Sequence, residues 1–98
     1  MKKNQNFLDD LFSVIDKRAK SSSSKSYTKK LLKQGKNKIA QKFGEESIEL
    51  LTDYLNGSKK RTIEEAADLI YHLLVLLYSK KISLNDIKNE LKKRENVR

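Results

Sequence analysis

The chain has 98 residues, 37% hydrophobic and 36% charged, and carries a formal net charge of +9, which suits a single all-helical domain over 1–98. It has no cysteine, which excludes disulfides and thiolate metal sites, and no proline with only three glycines, which argues against strands joined by tight turns. The positive charge calls for a polyanionic partner, either nucleic acid or a phosphorylated small molecule, unless it reflects lysine-rich coding alone.

In chain order, residues 5–19 read as a first helix with Phe7, Leu8, Leu11, Phe12 and Ile15 on one stripe. The opening MKKNQNFLDDLF meets Asp9 and Asp10 before any signal-peptide core can form. KSSSSKS (20–26) reads as a polar linker, and YTKKLLKQ (27–34) as a short helix stopped by Gly35. A long helix is expected from Lys36 to Leu55, ended at Asn56 and Gly57. The next begins at Ser58 or Thr62, where TIEE (62–65) has the form of a capping box, and runs to about Lys80. SLND (83–86) repeats the capping pattern and opens a last helix over 84–95, with Leu84, Ile87 and Leu91 as its apolar stripe. The longest apolar run, LIYHLLVLLY (69–78), is about half of what a membrane span needs. The implied fold is an all-α hairpin with flanking helices, most simply a four-helix bundle, and a cytoplasmic location is expected.

On the wheel of the second long helix, Ile39, Phe43, Leu50 and Tyr54 share the arc expected to be buried, widened by Ala40, Leu51 and Leu55. Glu46 falls beside Ile39 and Leu50, with Glu49 and Asp53 next to it and Glu45 further out. Like charges at i, i+4 cost a helix about 0.2–0.5 kcal/mol per pair. An isolated ridge of this kind is more often a solvated face, here relieved by Lys38 and Lys42. On the following helix, however, Glu65, Asp68 and His72 form one stripe amid Leu69, Ile70, Leu73, Leu74, Leu76 and Leu77. Carboxylates near a core are expensive unless paired or holding a metal. Glu65 has an alternative role as capping partner of Thr62; Asp68 has no local cation. If the two helices pack antiparallel, Glu46 and Glu49 face Glu65 and Asp68, an oxygen-only set suited to Mg²⁺ or Mn²⁺. His72 reads as a partner orienting Asp68 or, more simply, as a satisfied core histidine. The apolar helix is more than one short chain can cover, so a homodimer or larger homo-oligomer is expected.

SYTKKLLKQGKNKIAQKFGEESIELL (26–51) and EEAADLIYHLLVLLYSKKISLNDI (64–87) together closely resemble the phosphoribosyl-ATP pyrophosphohydrolase family of the all-α NTP pyrophosphohydrolases. The resemblance spans about residues 7–95, and the superfamily pattern E-x-x-E then E-x-x-D falls on Glu46, Glu49, Glu65 and Asp68, with Glu45 completing an E-E-x-x-E form. LNGSKKRT (55–62) is more basic than the family pattern leads one to expect. The resemblance implies Mg²⁺-dependent cleavage of phosphoribosyl-ATP between its α and β phosphates, in histidine biosynthesis. It implies a metal set drawn from Glu45, Glu46, Glu49, Glu65 and Asp68, with Glu46 or Glu49 as general base. Lys38, Lys42, Tyr27 and His72 become candidate substrate contacts, with Lys29, Lys30 and Lys36 weaker ones. Two other readings stand beside it: a related enzyme that clears non-standard nucleoside triphosphates, and a basic helical nucleic-acid-binding protein. The basic residues are scattered with no recognition helix, so no nucleic-acid partner is expected, and no membrane partner.

Overall fold

In the computed structural model, residues 6–22 and 25–95 are described. Among them are five helices and no strand: α1 (Phe7–Lys20), α2 (Tyr27–Gln34), α3 (Lys36–Asn56), α4 (Lys59–Ser79) and α5 (Leu84–Lys93). The all-α class is as the sequence predicts, and none of these helices is long and apolar enough to cross a membrane.

The helix ends follow from local chemistry. Asn6 caps α1, accepting from the Asp9 amide at 2.9 Å; the predicted start at residue 5 lies outside the described residues. Asp9 and Asp10 in its first turn and Lys17, Arg18 and Lys20 in its last oppose the helix dipole. The serine tract does more than link: Lys20 closes α1 and Ser26 caps α2, accepting from the Lys29 amide; residues 23 and 24 lie outside the described ones. Gly35, at φ +94°, makes the sharp turn from α2 into α3, a conformation that an L side chain resists. Helix α4 starts a turn before TIEE. Ser58 is the cap, accepting from the Arg61 amide at 3.1 Å, and the Thr62 hydroxyl bonds back to the Ser58 and Asp53 carbonyls. Ser83 and Asp86 form the expected capping box of α5, though Leu91 of its predicted stripe is 59% exposed.

Helices α3 and α4 pack as the antiparallel hairpin, and α1 and α2 lie across its far half. There Ile15, Leu31, Ile39, Leu74 and Val75 form the buried core. Two polar ties fix this layer: Tyr78 donates to Asp16 at 2.8 Å, and Thr28 is hydrogen-bonded to Tyr71. One apolar strip along the hairpin receives no such cover. Ile48, Leu51 and Leu55 of α3 and Ile63, Ile70 and Leu73 of α4 are 38–72% exposed there. Tyr54, expected in the core, is also exposed, on a side of α3 that the start of α4, bonded to Asp53, does not cover.

Candidate metal centre

Three of the motif acids converge between α3 and α4. One carboxylate oxygen each from Glu46, Glu49 and Glu65 lies within 4.8 Å of the others. Glu46 is 8% exposed and Glu65 4%, while Glu49 opens to solvent. Their spacing explains the meeting. Glu46 shares the arc of buried Ile39, and Glu65 leads the stripe that His72 continues two turns later, so the packing of the hairpin brings the two rows edge to edge.

Glu46 Oε1 and Glu65 Oε1 are buried and have no hydrogen-bond partner, a state that costs a buried acceptor about 1–3 kcal/mol and a charged one more. The Glu65 carboxyl is pushed above the usual range, first by burial and then by its contact with Glu49. Three carboxylates within reach of one another, two of them keeping an unpartnered oxygen, fit a hard divalent ion such as Mg²⁺ or Mn²⁺.

The remaining predicted residues surround this group at different distances. Asp68 is exposed and falls outside the cluster; its backbone carbonyl accepts from His72 Nδ1 at 2.9 Å. Glu45 points elsewhere: Gln41 donates to it at 2.9 Å and the Lys42 ammonium lies 3.5 Å away, and together they hold its carboxyl below the ordinary value. Lys38 adds to that effect from a half-buried position. Lys42 is pushed up, chiefly by Tyr27 and also by Glu45 and Glu46, and its ammonium lies on the Glu45 side of α3. Lys29 is turned away, donating to the Ser21 carbonyl, while Lys30 and Lys36 lie exposed.

Arg61 is the functional-site residue that the motif pattern does not flag. Its guanidinium reaches Glu65 and Glu64 at 2.8 Å and Asp53 at 3.7 Å. Glu65 is therefore paired with Arg61, not with Thr62 as a capping box requires. The unexpectedly basic LNGSKKRT segment is the signal that announces it.

The family model for phosphoribosyl-ATP pyrophosphohydrolase matches residues 8–95. The chain belongs to that family. It is 45% identical over 89 residues to phosphoribosyl-ATP pyrophosphatase of Sulfolobus acidocaldarius, covering 91% of this chain and 94% of that one. It is 42% identical over 88 residues to the protein of the same name from Gluconobacter oxydans, covering 90% of this chain and 66% of the other. With histidine biosynthesis bifunctional protein HisIE of Thermotoga maritima it shares 42% identity over 85 residues, 87% of this chain but 43% of that one. Thus the chain spans 43% to 66% of the length of several relatives it matches.

Proposed function

We propose that the protein hydrolyses phosphoribosyl-ATP between the α and β phosphates, releasing phosphoribosyl-AMP and pyrophosphate, as a histidine-biosynthetic enzyme of the cytoplasm. The observation that carries the reading is the cluster of Glu46, Glu49 and Glu65, in which Glu46 and Glu65 each keep a buried, unpartnered carboxylate oxygen, in a chain of this family. Acids alone repel a triphosphate, and Arg61 pairs only one oxygen of Glu65, so a bound cation is what would let the cluster receive one. Glu46, Glu49 and Glu65 would hold Mg²⁺ or Mn²⁺, with Asp68 available at the rim. When bound, the ion would neutralise phosphate charge and favour deprotonation of a water.

The chain's own residues supply the rest. Lys42, on the Glu45 side of α3, is placed to bind phosphate oxygens, with Lys38 one helical turn earlier. Glu49 is the solvent-facing member of the trio and the best placed to take a proton from water. The bare apolar strip of the hairpin supports a homodimer in which a second copy covers Ile48, Leu51, Ile63 and Ile70.

Purified protein is expected to release pyrophosphate from phosphoribosyl-ATP with Mg²⁺ and not without it. Asp68→Asn should lower the rate at least tenfold with helicity unchanged. Equal or better turnover of dUTP or other free nucleoside triphosphates would assign the chain instead to clearing non-standard nucleotides.

A further inference from the structure

Tyr27 opens α2 and is 48% exposed, whereas His72 on α4 is 8% exposed. The Tyr27 hydroxyl lies 2.8 Å from His72 Nε2, with the two rings edge to face at 5.7 Å. On the opposite side of the imidazole, Nδ1 is 2.9 Å from the Asp68 carbonyl oxygen. A carbonyl oxygen only accepts, so Nδ1 carries the ring proton and Nε2 of the neutral ring is a bare acceptor. The phenol therefore donates its single proton to His72. Its oxygen is left with lone pairs alone towards solvent.

The neighbouring Thr28–Tyr71 hydrogen bond ties the same turn of α2 to α4. Burial pushes the Tyr27 phenol up, and Lys42, Glu46, Tyr71 and Asp68 also act on it. Phosphate oxygens are acceptors, and an acceptor-only phenol repels them. A sugar hydroxyl, which donates, complements it.

We infer that His72 is a positioning residue that does not touch substrate, and that it holds the Tyr27 oxygen as an acceptor for a ribose hydroxyl of the nucleotide. This rests on the proposed pyrophosphohydrolase reading and adds to it a division of labour: Lys42 takes phosphate, Tyr27 takes sugar.

The chain has one histidine, so ¹⁵N NMR of the ring is unambiguous. The Nδ1-protonated tautomer is expected, with the Nε2 resonance moving towards that of a free imine nitrogen in Tyr27→Phe. In kinetics, Tyr27→Phe and His72→Leu should each raise KM for phosphoribosyl-ATP about three- to tenfold, the effect of one hydrogen bond, with kcat within about twofold. Inhibition by pyrophosphate should not change in either. His72→Gln, whose amide oxygen can accept the phenol proton, should recover most of the loss, and with Tyr27→Phe it carries the test if His72→Leu does not fold. A protonated Nε2 would overturn the inference, as would pyrophosphate inhibition weakening in step with KM. If the native protein releases no pyrophosphate, the functional reading fails and the sugar contact with it, while NMR decides the tautomer separately.

Discussion

Ile70→Lys tests whether the uncovered strip is an interface. Fully burying an isoleucine stabilises by about 1.5–3 kcal/mol. Ile70 is still 42% exposed in one chain, so covering it gains roughly 1 kcal/mol per copy and about 2 kcal/mol for a symmetric pair. Taken over Ile48, Leu51, Leu55, Ile63, Ile70 and Leu73, the same reckoning gives roughly 15 kcal/mol for the pair. That is of the order of the ~4–15 kcal/mol cost of association, so one residue shifts the balance. Lysine also brings an ammonium that must leave water unpaired, at several kcal/mol per ion. The dissociation constant should rise at least about 1,000-fold. Sedimentation equilibrium at about 5 μM should show dimer for the native chain and monomer for the variant, with matching circular dichroism. A folded native monomer at about 100 μM, or a variant that still sediments as a dimer, would refute the reasoning.

Three other outcomes can be measured directly. Glu65→Gln keeps the side chain's size and its contact with Arg61 but removes its charge; pyrophosphate release should fall at least 100-fold, and Mn²⁺ should raise the melting temperature of the native protein but not of the variant. Asp16 has its carboxyl held below the usual range, first by the Tyr78 hydroxyl and then by Lys20. A depressed folded-state value means this stabilisation is complete above the unfolded carboxyl's range near 3.9 and is lost as pH falls through the lower folded value, so Asp16→Asn should narrow the gap in melting temperature between pH 6 and pH 3. Lys81 holds a left-handed φ of 63° at the end of α4. Lys81→Gly should stabilise by about 0.5–1 kcal/mol in thermal melts, with activity unchanged.

The hairpin and its acids were legible because periodicity and motif spacing agree: Glu46 and Glu65 occupy the core-edge arcs on both helices, and burial follows. Helix starts were less so. Ser58 and Thr62 both offer a capping hydroxyl, and the sequence does not say which wins. The earlier cap adds a helical turn and lets Arg61 reach Asp53, Glu64 and Glu65 at once. Tyr54 and Leu91 failed for a different reason. A wheel shows which residues share a face, but not whether anything lies against it. For the same reason Asp68, though on the same stripe as Glu65, ends at the rim and not inside the cluster. The tie between Tyr27 and His72 joins residues 45 positions apart, a separation that only the packing of α2 on α4 reveals.

Arg61 gives the acidic pocket a resident counter-ion. Its guanidinium grips Glu65 Oε2 at 2.8 Å, so one oxygen of that carboxylate is paired while Oε1 is not. The arginine, half in solvent on a long side chain, offsets part of the repulsion that the crowded acids would otherwise feel.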